Sequence, residues 1–186
     1  MNIFERIASW FNRPEPIPAI QNMSRPASLL ANDIAEIAKL ELGVHETNGS
    51  NCGPRVNQYK AATNLNPKEA WPWCAAFVCW CVREAVGYKH VNFKLPKTAA
   101  AWGFEEWARS QDGSVQLKKP HGGDIKKGDI LVYTFSHIGI AMGPPIAGLV
   151  PTCEGNTDGN GSRDGGEVAI RTRSLSSIRS RIRITG

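Results

Sequence analysis

The stretch AWPWCAAFVCWCVREAV, from Ala70 to Val86, decides the fold because it contains the strongest helical pattern in the chain. Counted from Cys74, apolar residues recur every three or four positions and form a single stripe. The members of this stripe are Phe77, Val78, Cys81, Val82 and Ala85. The spacing predicts a helix from Pro72 to Ala85, with Pro72 in its first turn and the stripe packed on the protein core.

Cys74 differs from the other cysteines of this helix because it falls in the first turn. Free backbone N–H groups and the positive end of the helix dipole stabilise a thiolate there, at a position expected to stay at the protein surface. A nucleophile and an ordinary packed cysteine are both compatible with this position. Cys79 and Cys81 are interpreted as core residues, and they point to nearly opposite sides of the helix, so they cannot bind one metal ion together. We expect no metal site, since the chain has no CxxC or HExxH motif.

The composition indicates one globular domain. The chain has 186 residues, 41% of them hydrophobic, with a formal net charge of +5. No apolar run is long enough to span a membrane, and the first residues lack the basic and apolar regions of a secretory signal. We therefore expect a protein made in the cytoplasm without a signal peptide, which would act elsewhere only after release.

Two short segments precede the predicted domain. Residues 1–12 place apolar side chains at helical spacing and predict a short amphipathic helix, which could dock on the domain or lie on a membrane surface. Residues 13–28 contain Pro14, Pro16, Pro18 and Pro26 and predict an extended linker. The domain is predicted to occupy residues 29–186.

Within the domain, helical patterns come first and strand patterns second. Besides the cysteine helix, helices are predicted from Ser28 to about Gly43, over 56–62 and over 98–110. Short β-branched runs follow, separated by turn residues: ILVYTF, HIGIAMG, GLVPTCEGN, EVAIRTR and SRIRIT. This order predicts an α+β fold with N-terminal helices packed on an antiparallel sheet of five to six strands, arranged as a meander.

The strand region supplies partners for a cysteine nucleophile. His137 lies at the mouth of the apolar strand HIGIAMG, where it would be held rigidly enough to act as a base. Glu154 and Asn156 lie two positions apart on the next strand and would share one face. Either could accept the imidazole N–H and fix its tautomer, while Glu154 would also stabilise the imidazolium. A structural, hydrogen-bonded histidine is the alternative for His137.

Three segments in this order, PWCAAFVCWC, KKGDILVYTFSHIGIAMG and TCEGNT, resemble the CHAP domain, the cysteine, histidine-dependent amidohydrolase/peptidase family of papain-like wall hydrolases. The resemblance covers residues 30 to 186. It implies a papain-like fold with Cys74 as nucleophile, His137 as general base and Glu154 as orienting carboxylate. By the same resemblance, Asn156 is a supporting polar group in the site.

The resemblance also implies the substrate. It would be peptidoglycan, cleaved at an amide bond either next to the sugar's lactyl group or within the peptides, as in phage endolysins. Trp71 and Trp73 flank the nucleophile and could bind substrate or simply pack beneath the helix. The stretch where some CHAP domains bind calcium has one Glu and no Asp here, so we expect no calcium and no other cofactor.

Alternative functions remain compatible with the sequence. A secreted antibacterial effector or autolysin of the same fold, a non-catalytic wall-binding module and a metal-dependent hydrolase are the rivals. Five arginines near the C-terminus predict either a solvated basic face or peripheral contact with an anionic membrane or wall polymer: Arg171, Arg173, Arg179, Arg181 and Arg183. No nucleic-acid partner is expected, because no aromatic stacking pattern accompanies them. The protein is expected to be a monomer.

Overall fold

The computed structural model describes residues 28–87, 89–120 and 124–185. The predicted amphipathic helix over 1–12, and all of the predicted linker except Ser28, lie outside the described residues.

Four helices occupy the first half of the described chain. They are α1 (Ser28–Leu40), α2 (Pro54–Lys60), α3 (Cys74–Val86) and α4 (Gly103–Arg109). The prediction that Pro72 lies in the first turn of α3 is wrong, since the helix begins at Cys74. Trp73 is its N-cap, with non-helical φ −114° and ψ 13°. None of the described helices is long and apolar enough to cross a membrane.

Six strands form one antiparallel sheet. They are β1 (Val115–Lys118), β2 (Ile130–Tyr133), β3 (Ile138–Ala141), β4 (Leu149–Thr157), β5 (Glu167–Ser174) and β6 (Ile178–Ile184). Their order across the sheet is β1-β6-β2-β3-β4-β5. The predicted α+β class, with helices before an antiparallel sheet of five to six strands, is confirmed.

The predicted meander holds only for β2 to β5. The last strand, β6, leaves β5 through a short 3₁₀ helix (Leu175–Ser177) and pairs with β2 instead. The edge strand β1 was not predicted, and it pairs with β6 in the register Val115↔Ile184. These pairings join segments that are distant in the chain, so they cannot be predicted from turn residues in the local sequence.

The sheet separates two apolar clusters. Alternate residues of β2 face opposite sides, since Ile130 and Val132 join the helices in the larger cluster, whereas Leu131 and Tyr133 belong to a smaller cluster on the other face. Helices α1 and α3 cover the first face, and α3 runs against β3 and β4. This packing places α3 against β4, which contains Glu154, and β3, which His137 directly precedes.

The packing of α1 on the sheet can be tested by substituting a glycine that lies next to this helix. Gly128 is buried at φ +82°, and a Cβ there would lie 1.9 Å from the carbonyl oxygen of Ala31 in α1. Gly148 has a similar φ of +78°, but a Cβ at that position would have no heavy atom within 4 Å. We expect Gly148→Ala to lower the free energy of unfolding by about 1–2 kcal/mol, the ordinary cost of a left-handed non-glycine residue.

Gly128→Ala should lower the free energy of unfolding by roughly 1–3 kcal/mol more than Gly148→Ala does, because α1 must move away from the sheet. Urea denaturation of both variants measures the difference. Equal losses would show that α1 does not contact Gly128 as described.

Candidate active site

Cys74 is the first residue of α3 and points toward the sheet. Only 5% of the surface of Cys74 is exposed to solvent, so the expectation that this residue lies at the protein surface is wrong. The first i to i+4 bond of the helix runs from Phe77 N–H to the Trp73 carbonyl. The backbone N–H groups of Cys74, Ala75 and Ala76 therefore precede the helical hydrogen-bond ladder and surround the thiol with positive partial charge.

The chain of β4 passes very close to the start of α3. A Cβ on Gly155 would lie 2.7 Å from Cβ of Phe77 and 2.8 Å from Cζ3 of Trp73, so only glycine allows this approach. The next residue, Asn156, adopts the left-handed region with φ +57°, which asparagine tolerates better than most residues. Its Oδ1 accepts the backbone N–H of Trp73, and its Nδ2 donates to Gly165 O at 2.9 Å.

Asn156 therefore holds the backbone that leads into Cys74, and it forms no hydrogen bond with His137 in the described structure. Of the two predicted orienting groups, Glu154 contacts the imidazole. His137 Nε2 and Glu154 Oε2 lie 3.0 Å apart, and both side chains are fully buried. A carboxylate can only accept, so Nε2 carries the proton.

The imidazole is held by rings as well as by the carboxylate. Tyr133 and Phe135 both stack on His137, with ring centroids 5.9 Å and 6.2 Å away and interplanar angles of 17° and 12°. The backbone N–H of Tyr133 donates to the carbonyl of His137 at 3.0 Å. The histidine at the strand mouth is thus fixed in position and plane.

Cys74 and Glu154 both interact with the imidazole of His137. Burial lowers the pKa of His137, but interactions with Cys74 and Glu154 outweigh burial and raise it from 6.5 to about 9. Nδ1 is buried and has no hydrogen bond of standard geometry within the described part of the chain. Because Nε2 is engaged by Glu154, Nδ1 is the nitrogen that remains for the thiol.

The buried carboxylate of Glu154 accepts hydrogen bonds from residues of several strands. Its Oε1 accepts from Tyr133 Oη and Thr152 Oγ1, both at 2.7 Å, and from Arg173 Nε at 2.9 Å. Arg173 Nη2 and His137 Nε2 reach Oε2. Burial raises the pKa of Glu154, but the hydrogen bonds and charges of Arg173 and His137 prevail and lower it to about 2.

Arg173 belongs to this site, although the sequence analysis assigned it only to a basic face; Tyr133, Phe135 and Thr152 were also not predicted here. The Arg173 guanidinium donates twice to Glu154 and once to Gly161 O at 3.0 Å, and it lies over the rings of Tyr133 and Phe135. The alternation of arginines in β5 indicated a basic face, and no feature of the sequence pointed to Glu154 as the partner. The register of β4 and β5 brings them together.

The other C-terminal arginines also have partners. Each donates to a carboxylate or backbone carbonyl: Arg171 to Asp158 O and Gly159 O, Arg179 to Glu105, Arg181 to Asp124, and Arg183 to Asp129. The prediction of a solvated basic face is wrong for Arg181, which is fully buried, and for Arg173. Arg173, Arg179, Arg181 and Arg183 are thus paired with carboxylates of the same chain, whereas Arg171 binds backbone carbonyls.

Trp71 and Trp73, which flank Cys74 in the sequence, differ in their exposure to solvent. Trp73 is 0% exposed, stacks on Tyr59 at 5.7 Å and donates Nε1 to Glu46 at 3.2 Å. The prediction that it binds substrate is therefore wrong, and its role is packing. Trp71 is half-buried, and its Nε1 donates to Asn66 O at 2.9 Å. A third ring, Trp102, is 43% exposed and donates Nε1 to the carbonyl of Tyr133 at 3.0 Å, beside the hairpin that carries His137.

The remaining cysteines do not join this site. Cys79, Cys81 and Cys153 are buried, and burial raises the pKa of each thiol. The interpretation of Cys79 and Cys81 as core residues is confirmed. Among the described residues, no group of three or more His, Cys, Asp or Glu side chains is placed to bind a metal ion.

Comparison of the chain with protein-family models, curated proteins and solved structures found no match.

The pKa of His137 gives a direct test of its contact with Cys74. Replacing the thiol in Cys74→Ser should lower the pKa of His137 from about 9, since the interaction with Cys74 is the first of the causes that raise it. NMR titration of the imidazole measures the change. Cys79→Ser, on the same helix, should leave the titration unaltered.

The same shift predicts how stability depends on pH. Because the pKa of His137 is higher in the folded protein than the ordinary 6.5, the protonated imidazole adds to the free energy of unfolding. This contribution is complete below pH 6.5 and is lost as the pH rises through about 9. Wild type should therefore lose unfolding free energy over this window more steeply than Cys74→Ser. Identical slopes, together with an unshifted His137, would contradict the contact.

Proposed function

We propose that the protein is a cysteine amidohydrolase or peptidase of the papain-like type, in which Cys74, His137 and Glu154 are the catalytic group. The observation that carries this proposal is that one imidazole, His137, interacts with the thiol of Cys74 at the start of a helix and with a buried carboxylate 3.0 Å away. Such a series activates a nucleophile and fixes the tautomer of its base.

In the proposed reaction, Cys74 Sγ passes its proton to His137 Nδ1 and attacks the carbonyl carbon of an amide. The N–H groups at the start of α3, that of Cys74 first, would stabilise the oxyanion that forms. The imidazolium then protonates the leaving amine, and the C–N bond breaks to leave a thioester. Water, deprotonated by His137, attacks the thioester, releases the carboxylic acid and restores the thiol.

Glu154 stays ionised through this cycle. Its donors hold the carboxylate in place, and its charge favours the imidazolium that appears after each proton transfer. Asn156 supports the site differently, because it fixes the Trp73 backbone and therefore the direction of Cys74. The two polar residues predicted together thus have separate roles.

We propose peptidoglycan as the substrate, on the resemblance of the three motifs to CHAP domains. Either the amide next to the lactyl group or one within the peptides would be cut. Among the described residues, Trp71, three positions before Cys74, and Trp102, bonded to the carbonyl of Tyr133, have exposed surface, and we propose them as substrate contacts in place of Trp73. A phage endolysin, released to the wall from the host cytoplasm, is the setting we favour over a bacterial effector or autolysin.

The test is the release of new ends from purified peptidoglycan. Wild type, Cys74→Ala and Cys52→Ala are incubated with it under reducing conditions, turbidity is followed, and the soluble fragments are identified by mass spectrometry. Cys52 is a half-buried thiol outside the site and serves as the matched control. We expect wild type and Cys52→Ala to release fragments, and Cys74→Ala to lose at least about a thousandfold in rate.

Fragment masses name the bond that is cut. A folded Cys74→Ala variant as active as wild type would overturn the assignment of the nucleophile. Retained wall binding with no hydrolysis by wild type would favour a binding module. Loss of activity with a chelator but not with a thiol alkylator would favour a metal-dependent hydrolase.

A further inference from the structure

We propose that Arg173 is a positioning residue for the reaction, which holds Glu154 in the orientation that directs His137 Nδ1 toward Cys74. The inference rests on the proposed function and adds a fourth side chain to it. Arg173 reaches no reacting atom itself and would act through Glu154.

The contact between Arg173 and Glu154 is two-pronged. Nε donates to Oε1 at 2.9 Å and Nη2 donates to Oε2. A paired contact of this kind fixes the plane of the carboxylate as well as its position. Oε2 is also the oxygen that accepts from His137, so the orientation of the carboxylate sets the direction of the imidazole.

The surroundings leave Arg173 little freedom. Its side chain is only 13% exposed, and the guanidinium lies 5.4 Å and 5.2 Å from the ring centroids of Tyr133 and Phe135. The same rings stack on His137. Arginine and imidazole are therefore held against one aromatic pair and bind one carboxylate.

Charge gives Arg173 a second effect on the carboxylate. An ionised carboxylate without solvent contact is unfavourable unless it is paired, and His137 carries a charge for only part of the cycle. Arg173 is always charged. It therefore keeps Glu154 ionised when His137 is neutral, and the base keeps one tautomer throughout.

Arg171 provides a matched control on the same strand. It binds the loop after β4 through the carbonyls of Asp158 and Gly159, at 2.7 Å and 2.8 Å, and has no contact with Glu154 among the described hydrogen bonds. Arg173 binds the same loop through Gly161 O. The two variants thus share the loss of a loop contact and differ in the loss of the Glu154 contact.

The experiment compares Arg173→Gln, Arg173→Lys and Arg171→Gln with wild type. Initial rates on soluble peptidoglycan fragments are measured across pH, and the Glu154 carboxyl is titrated by NMR. We expect Arg173→Gln to lower kcat about tenfold to a hundredfold with little change in KM. The acid limb of its kcat/KM profile should move to higher pH, because the pKa of Glu154 rises once its cation is removed.

Arg173→Lys keeps the charge but cannot form the paired contact, so its rate should fall between those of wild type and Arg173→Gln. Its acid limb should stay closer to that of wild type. Arg171→Gln should match wild type in both rate and profile. If Arg173→Gln does not fold, the Lys variant and the NMR titration still decide the question.

Equal losses in Arg173→Gln and Arg171→Gln, without a shift of the acid limb, would reduce Arg173 to a loop contact and overturn the inference. An unchanged Glu154 titration in Arg173→Gln would overturn it as well. If wild type hydrolyses no peptidoglycan but Glu154 titrates at higher pH only in the Arg173 variants, the proposed function fails while the coupling of Arg173 to Glu154 stands.

Discussion

The burial of one ionised carboxylate, that of Glu154, constrains the rest of the site. A carboxylate with no solvent contact costs several kcal/mol unless donors replace its water. Here the donors come from three strands of the sheet and from the residue before a fourth: Tyr133 in β2, Thr152 in β4, Arg173 in β5, and His137 directly before β3. Satisfying this group therefore fixes the relative positions of those strands.

The helix is tied to the same strands by a different set of contacts. Gly155 lets α3 approach β4 closely, and Asn156 accepts the N–H of Trp73. Trp73 packs in the core and so anchors the turn that begins the helix. Three consecutive residues of β4 thus contact the imidazole (Glu154), allow the close approach of the helix (Gly155) and bind its N-cap residue (Asn156).

Much of this arrangement follows from local sequence signals. The helical stripe after Cys74, the strand pattern after His137 and the period of two between Glu154 and Asn156 are short-range features, and the structure brings these residues together at one end of the sheet. The choice of Glu154 over Asn156 as partner of the imidazole was left open by the sequence. Backbone geometry decides it, because the left-handed φ of Asn156 turns its side chain toward Trp73.

The parts that could not be predicted depend on contacts between distant segments. Arg173 meets Glu154 only through the register of β4 and β5, and alternating arginines look alike whether they face solvent or a buried acid. The pairing of β6 with β1 and β2 is equally non-local. Trp73 flanks the cysteine in sequence, yet its N-cap conformation turns the ring into the core, which residue order alone does not reveal.

The central proposal, that His137 and Glu154 activate Cys74 as a nucleophile, is tested most directly by mapping which thiol reacts first. The native protein is treated with a limiting amount of iodoacetamide at about pH 6, where an ordinary thiol is protonated, and the labelled peptides are identified by mass spectrometry. The account predicts that Cys74 is labelled first, although it is 5% exposed and Cys52 is more accessible. Labelling of Cys52 before Cys74 would contradict it.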